Sequence, residues 1–407
     1  MKDAIKQTTD DPSSERSETV PAAAVPRAKG KVRRRGLLQG FGGIAGAAVV
    51  FGSARTAQAS NSWGTANVSD EKLVNMYTLM LRSRHWEGAM KDAFLTPADG
   101  LYGACHLYIG EEAVAVGAIS AINADDYIAS THRGHGHLHA KGGDMGKMAA
   151  EMFFRTTGYN QGFGGSMHLT DVSRGILGMN GIVGPSHLIA AGAAYGIKVR
   201  GTKQVAMSFG GDGSVNNGWF FAALRNASLY SLPLVVVIEN NGYQISMPTE
   251  RTNALKELAT LAKGMEIPGE TVDGNDVLAV YAVAQRAVER ARAGLGPSMI
   301  EAKTYRWYDH AGMAGAKIGQ DGAFGLPYRT DREVRYWMSR DPIVKMRTFL
   351  LSEKILTDEG ADKIIADVKA DVAKAMDFAR TSPHPDGELG LKHVYAEGSV
   401  RASQFLA

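Results

Sequence analysis

The stretch that most constrains this chain runs from Val205 to Ser246. Its apolar start predicts a buried strand, and the glycine-rich turn GGDG follows at residues 210–213. A helix-like segment then leads to a second apolar strand at residues 234–239, which ends in two asparagines. The stretch therefore predicts a β-α-β unit with polar residues at the carboxyl ends of both strands.

Two of these polar residues, Asp212 and Asn241, are expected to face one crevice, because open parallel sheets bind ligands at the carboxyl ends of their strands. Their side-chain oxygens, together with a backbone carbonyl, are hard ligands suited to Mg²⁺. The amides after the glycines open a helix N-terminus suited to phosphate. The pair predicts a magnesium diphosphate site; the alternative is a surface turn followed by an asparagine-rich loop.

Composition limits the classes of protein to consider. The chain has 407 residues, of which 44% are hydrophobic and 21% charged, so it can bury a sizeable globular core. Its net charge of +3 is small for this length and gives no reason to expect a nucleic-acid partner. Cys105 is the only cysteine, which excludes an intrachain disulfide and a thiolate zinc cluster.

The sequence pattern of the first 59 residues predicts a leader followed by an export signal. Residues 1–32 are polar and without apolar periodicity, as in disordered segments. Residues 33–59 resemble a twin-arginine signal, with Arg34-Arg35-x-Leu-Leu, a weakly apolar run and a small-x-small cleavage pattern at Ala57–Ala59. We expect periplasmic export and no membrane span after signal removal. The alternatives are a cytoplasmic protein with a chance basic cluster, or an uncleaved anchor.

The remainder predicts an α/β domain over residues 69–330 and a helical C-terminal extension over residues 331–407. Apolar periodicity predicts further strands at residues 126–130 and 298–304, with a strand end at 271–274. It predicts helices at residues 69–91, 186–199, 254–263, 277–293 and 356–380. The glycine-rich residues 311–325 are expected to form a mobile loop.

Four histidines and an arginine follow the first predicted strand, at residues 131–139. A metal site is disfavoured there, because no carboxylate or thiol accompanies the imidazoles and Arg133 would repel a cation. An arginine after a strand end is better suited to holding phosphate oxygens. His106, by its local sequence alone, is compatible with a structural role.

The ordered motifs resemble one family. GDG, 26 residues and NN form the thiamine-diphosphate signature, and the chain is similar to alpha subunits of two-subunit 2-oxo acid dehydrogenases of the pyruvate and acetoin type. The resemblance runs from about Glu71 through the C-terminal helices. It rests on HLYIGEEAVAVG, THRGHG, GGSMH, NGIVG, ENNGY, YRTDREV and SRDPI.

The resemblance implies a thiamine-diphosphate-binding fold, a parallel sheet flanked by helices, and a set of site residues. The implied magnesium ligands are Asp212, Asn241 and the carbonyl of Tyr243. The implied cofactor contacts are His132 and Arg133 at the phosphates, the amides of Gly213 and Ser214, and backbone groups of Gly181 and Val183 at the aminopyrimidine. His106, His310 and His135 are the implied catalytic histidines.

The resemblance also implies the reaction. The chain would be the alpha subunit of an oxidoreductase that decarboxylates a small 2-oxo acid such as pyruvate, or cleaves acetoin, through a cofactor-bound acyl carbanion or enamine. A beta subunit would supply the pyrimidine-activating carboxylate in an α2β2 tetramer, and a lipoyl acyltransferase would accept the acyl group. The alternatives are a standalone carboligase or decarboxylase and a noncatalytic cofactor-binding homologue.

Some positions depart from the family pattern. Ala222 stands where the family has glutamate, Phe163 where it often has lysine, and residues 306–310 read RWYDH instead of RYHGH. These differences affect the expected substrate and the coupling to a lipoyl partner, whereas the implied cofactor ligands remain.

Overall fold

The computed structural model describes residues 68–311 and 326–392. Five strands of these ranges form one sheet, and they are β1 (Tyr127–Ala129), β2 (Ala206–Gly211), β3 (Leu234–Asn240), β6 (Gly269–Asp273) and β7 (Ser298–Lys303). All are parallel, in the order β1-β2-β3-β7-β6. Two short strands, β4 (Tyr243–Gln244) and β5 (Met247–Pro248), pair antiparallel beside the sheet. The predicted α/β fold with a parallel sheet is confirmed.

The predicted β-α-β unit is confirmed by β2, helix α6 (Gly218–Leu229) and β3. The Asn217 side chain caps α6 by accepting the Trp219 amide at 2.9 Å. Strands β2 and β3 are direct neighbours, with Gly211 opposite Glu239 in the register. The carboxyl ends of both strands therefore meet at one edge, as the crevice requires.

Helices cover both faces of the sheet, because successive side chains of a strand point to opposite sides. Val235 and Val237 pack into a core with α1 (Asp70–Leu95), α2 (Glu112–Ile119) and α8 (Val277–Arg292). Leu234, Val236 and Ile238 pack into a second core with α5 (Pro185–Arg200) and α6. The continuous apolar run of β3 reflects this double burial.

The remaining helices are shorter or C-terminal. They are α3 (His135–Ala140), α4 (Met145–Met152), α7 (Thr249–Thr252), α9 (Asp331–Met338), α10 (Pro342–Ser352), α11 (Asp358–Thr381) and α12 (Gly387–Lys392). Helix α11 packs against α1 and α4, and its Val368, Val372 and Met376 belong to the first core. The C-terminal helices thus share the core of the α/β domain.

The predicted helices that begin near residues 69, 186 and 277 are confirmed, and the Ser69 hydroxyl caps the first by accepting the Lys72 amide at 3.3 Å. The helix predicted at residues 254–263 is wrong in start and type, because a 3₁₀ helix occupies Leu258–Met265 instead. Helices α3 and α4 were not predicted. Helix α3 consists largely of histidine and glycine, which carry no apolar periodicity.

Two predictions fall outside the described residues: the leader with its export signal at residues 1–59, and most of the glycine-rich loop at 312–325. Across the part of the chain that the structure describes, none of the helices combines the length and apolar character needed to cross a bilayer.

Candidate functional site

A pocket of about 360 Å³ opens at the carboxyl ends of β2 and β3. It is lined by residues that follow these strands and by four loops that precede α2, precede α3, precede α5 and follow β7. Nine of the predicted site residues line it: His132, Arg133, Val183, Asp212, Gly213, Ser214, Asn241, Tyr243 and His310. The tertiary structure therefore brings together segments that are far apart in the sequence.

The predicted oxygen ligands lie at one end of this pocket. The Thr249 hydroxyl donates to the buried Asp212 carboxylate, and the Asn241 side-chain amide donates to Glu111 Oε1 at 3.1 Å. Because the side-chain nitrogen of Asn241 faces Glu111, its Oδ1 faces the other way and accepts the Tyr243 amide N–H at 3.3 Å. Burial is the main cause that raises the pKa of Asp212, against the Thr249 hydrogen bond and the charge of Arg306. A hard divalent cation would offset that burial, so the donor set fits Mg²⁺.

The turn between β2 and α6 leaves close access for an anion. An added Cβ at Gly213 would lie 3.2 Å from the Gln244 side chain, and one at Gly184, whose φ is +105°, would lie 2.8 Å from Asn217. Neither position accommodates a side chain without displacing a neighbour. The glycines therefore let these segments pack closely without side chains, which suits a diphosphate held by backbone amides.

Three histidine rings cluster at the pocket. The ring centroid of His106 lies 4.6 Å from that of His132 and 4.8 Å from that of His310, and the centroids of His132 and His310 are 5.2 Å apart. Burial, and then the charge of Arg133, lowers the pKa of His106 to about 2 and that of His310 to about 4. The same two causes hold the pKa of His132 well below its usual value. All three rings are therefore neutral near pH 7. Among the described residues, the buried Nδ1 atoms of His106 and His132 have no hydrogen-bond partner.

Arg133 connects the histidines. Its guanidinium donates to the Leu107 carbonyl at 2.8 Å and to the His310 carbonyl at 3.0 Å, and its Nε lies 3.6 Å from Glu111 Oε2. The guanidinium thus fixes the position of Leu107, which follows His106, relative to His310.

Three predicted residues do not line the pocket directly. His106 reaches it only through its ring contacts with His132 and His310. Gly181 lies between Asn180 and Ile182, which both line it. His135 is fully buried, with Nδ1 3.0 Å from Glu87 Oε1 and Nε2 3.2 Å from the Ser166 carbonyl. The structure therefore places His135 in a supporting layer behind the pocket.

Sequence reasoning missed three charged residues that line the pocket: Glu111, Glu239 and Arg306. Burial is the main cause that raises the pKa of Glu111 to about 8, against the charge of Arg133. Arg306 donates to the Tyr243 carbonyl at 3.3 Å. The position of Glu111 ahead of a helix and that of Glu239 at a strand end were the available signals. Neither signal indicates which way a side chain points.

Comparison with known proteins gives matches over most of the chain. Residues 86–388 match the family model described as the dehydrogenase E1 component. The alpha subunit of acetoin:2,6-dichlorophenolindophenol oxidoreductase of Bacillus subtilis is 43% identical over 81% of this chain and 95% of its own length. The corresponding Cupriavidus necator subunit is 36% identical over 84% and 99%. The alpha subunit of the pyruvate dehydrogenase E1 component of Porphyra purpurea is 35% identical over 81% and 95%.

Proposed function

Because this chain belongs to the dehydrogenase E1 component family, we propose that it is the alpha subunit of a thiamine-diphosphate-dependent oxidoreductase that acts on acetoin or on a small 2-oxo acid such as pyruvate. The single observation that carries the proposal is the pocket itself. It combines hard oxygen ligands, a glycine turn suited to an anion and two neutral histidines, with a third histidine in ring contact with both, at the carboxyl edge of a parallel sheet.

The pocket residues divide into two groups by chemistry. Asp212, Asn241 Oδ1 and the Tyr243 carbonyl would hold Mg²⁺, and the amides of Gly213 and Ser214 would receive the diphosphate. When bound, thiamine diphosphate supplies a nucleophilic carbon and an electron-accepting ring. Arg133 already donates to two carbonyls, so it would act at the phosphates mainly through its charge and its remaining N–H donors.

The histidines would handle protons at the reacting end. Since burial keeps His106, His132 and His310 neutral, each ring can donate from one nitrogen and accept at the other. Such groups can hydrogen-bond a substrate carbonyl or hydroxyl and move its proton without placing a further positive charge beside Arg133. We assign the direct contacts to His132 and His310, which line the pocket, and supporting roles to His106 and His135.

The beta subunit would complete the site. We propose that it supplies the carboxylate that activates the pyrimidine, in an α2β2 tetramer. An exposed apolar face beside the pocket supports such a partner: Ile189 (43% exposed), Tyr195 (48%) and Val199 (70%) on α5, with Trp219 (46%) on α6. Exposed large apolar side chains on two helices that pack together fit a protein interface. A lipoyl acyltransferase is the proposed recipient of the acyl group.

The direct test is activity of the full chain coexpressed with a beta subunit. The complex is assayed with acetoin, pyruvate and other small 2-oxo acids, using dichlorophenolindophenol or a lipoyl domain as acceptor. We expect turnover only with both Mg²⁺ and thiamine diphosphate, and loss of cofactor binding in Asp212→Ala. A matched control is Asp371→Ala, at an exposed position of helix α11. Cofactor binding without turnover on any substrate would favour a noncatalytic homologue, and turnover by the chain alone would favour a standalone carboligase.

We also propose that the chain is exported to the periplasm by the twin-arginine route. The support is the Arg34-Arg35-x-Leu-Leu pattern and the following weakly apolar run. Expression in a bacterial host should yield a periplasmic product whose N-terminus begins near Ser60, and replacing both arginines with lysine should retain it in the cytoplasm. A full-length cytoplasmic product of the unmodified chain would contradict this proposal.

A further inference from the structure

A row of three buried polar side chains runs directly beneath the pocket. His187, the third residue of α5, lies between Ser208 of β2 and Ser214 of the turn that follows. Its Nδ1 is 3.0 Å from Ser208 Oγ, and its Nε2 is 3.1 Å from Ser214 Oγ. His187 and Ser208 are fully buried, and Ser214 is 1% exposed yet lines the pocket. The row therefore connects the core with the pocket surface.

Counting the protons assigns a direction to each hydrogen bond. The Ser214 hydroxyl lies 2.6 Å from the Gly211 carbonyl, which can only accept, so its single proton is donated there. The contact between Ser214 Oγ and His187 is then a hydrogen bond only if Nε2 carries the imidazole proton. Burial lowers the pKa of His187 to about 3, so the ring is neutral and Nδ1 is bare. Nδ1 accordingly accepts the Ser208 proton.

Gly210 leaves the space in which the imidazole lies. A Cβ added at this position would be 2.3 Å from His187 Nε2 and 2.4 Å from Ser214 Oγ. The imidazole and the serine hydroxyl thus occupy the space that a side chain at Gly210 would fill. Both nitrogens of the buried imidazole are thereby paired with hydroxyl groups, one in the core and one at the pocket surface.

We propose that His187 is a positioning residue for the diphosphate end of the pocket. Its Nε2–H occupies a lone pair of Ser214 and makes the serine hydroxyl an obligate donor. The hydroxyl then donates to the Gly211 carbonyl in the free chain and can turn to an anionic oxygen in the pocket. A serine without this neighbour can present either its proton or its lone pairs, and lone pairs repel an anion. The inference rests on the proposed cofactor site and adds a residue to it.

The first test reads the tautomer in the cofactor-free chain. The full chain, which has 11 histidines, is labelled with ¹⁵N-histidine, and the His187 signals are assigned by their absence from His187→Gln. We expect the Nε2–H tautomer alone between pH 6 and 8. In Ser208→Ala, Nδ1 loses its donor, so the Nδ1–H tautomer should become populated. A His187 ring that carries its proton on Nδ1 in the unmodified chain overturns the inference.

The second test measures binding of inorganic pyrophosphate with Mg²⁺, and of thiamine diphosphate, by calorimetry. Losing one hydrogen bond predicts about three- to ten-fold weaker binding of both in His187→Leu. His187→Gln keeps an N–H donor near Ser214 and should remain within about two-fold of the unmodified chain, an expectation from the same hydrogen-bond inventory. The matched control is His384→Leu, a substitution of an exposed histidine.

The outcomes are distinguishable. Binding by a folded His187→Leu chain as tight as that of the unmodified chain overturns the inference and leaves His187 a packing residue. If that variant does not fold, the tautomer measurement and the binding affinity of His187→Gln still test the inference. If the unmodified chain and its complex with a beta subunit bind neither probe, the proposed function fails, whereas the tautomer measurement still tests the hydrogen-bonded row.

Discussion

The guanidinium of Arg133 donates to carbonyl groups of two loops that are far apart in the sequence, at Leu107 and His310. Its side chain is nearly fully buried, so neither bond is weakened by competition with water. The positive charge also lowers the pKa values of the neighbouring histidines, in second place after burial. One residue thus contributes to both the geometry and the protonation of the histidine group.

We predict that Arg133→Lys lowers kcat roughly ten- to hundred-fold although the charge is kept, because one ammonium group cannot bridge both carbonyls and the histidines shift. Steady-state kinetics of the coexpressed complex measures this effect. Arg335→Lys on helix α9 serves as the control for an exposed arginine. Unchanged kcat in Arg133→Lys would mean that charge alone accounts for the role of this residue.

His139 is a buried histidine of another kind. Among the described residues neither of its nitrogens has a hydrogen-bond partner, and its ring packs edge-on against Trp86 at 5.3 Å. Burial, and then the charge of Arg82, holds its pKa well below the usual value. The buried ring therefore carries no protonation cost above about pH 6.5, and it destabilises the folded chain progressively as the pH falls below that value.

We predict that His139→Leu raises the free energy of unfolding by about 1 kcal/mol at pH 7.5, because two unpaired polar atoms leave the core. The advantage should grow toward pH 5.5, since the unfolded wild-type chain gains a proton there that the folded chain does not bind. Denaturant titrations at both pH values measure this difference. A destabilised variant at pH 5.5 would show that His139 has a partner.

At the scale of elements, the glycine loop before the GGSMH motif is held by one carboxylate. Glu151 of α4 is fully buried and accepts the amides of four loop residues at 2.7–3.1 Å: Asn160, Gly162, Gly164 and Gly165. Each carboxylate oxygen accepts two of them. The loop leads directly to Ser166, which contacts His135. The sequence shows the GGSMH motif but does not indicate what orders this loop.

We predict that Glu151→Gln destabilises the chain by on the order of 3 kcal/mol, because its amide group faces donors that only a carboxylate oxygen can satisfy. Limited proteolysis should then cleave the chain first within residues 158–165. Glu353→Gln, at an exposed site, is the control and should leave stability and cleavage unchanged. Equal protection of the Glu151→Gln loop would contradict this assignment.

At the scale of the whole molecule, the outer face of α5 carries exposed glycine and apolar residues within the part that the structure describes. Gly192 and Gly196 lie one turn apart there, and a Cβ added to either would meet nothing within 4 Å in the described chain. Tyr195 and Val199 beside them are exposed. A smooth helix face of this kind permits close approach of another helix, which fits the proposed beta subunit.

We predict that Gly192→Leu leaves the isolated chain folded, and stabilises it by up to about 1 kcal/mol through helix propensity. The same substitution should weaken the complex with the beta subunit at least ten-fold, because the new side chain separates the two surfaces, an estimate based on lost packing at an interface. Analytical ultracentrifugation of the coexpressed proteins measures this effect. An intact tetramer would place the interface elsewhere.

The sequence by itself determined the fold class, the β-α-β unit and the residues that follow its strands. These features follow from local rules: apolar runs form buried strands, glycines form turns, and parallel strands bring their carboxyl ends to one edge. The sequence alone therefore predicted that Asp212 and Asn241 face the same crevice, and both line the pocket. The same rules failed for α3, whose histidines and glycines carry no periodic signal, and for the 3₁₀ helix near residue 260.

Only the tertiary structure decided which side chains share the pocket. It separated His135, behind the pocket, from His132, which lines it, although both belong to one motif. It also added Glu111 and the row from Ser208 through His187 to Ser214. Periodicity and spacing describe positions along one element, whereas burial, tautomer and charge depend on what the neighbouring elements place around a side chain. This is why the cofactor class was predictable from the sequence and the hydrogen bonds that orient its site were not.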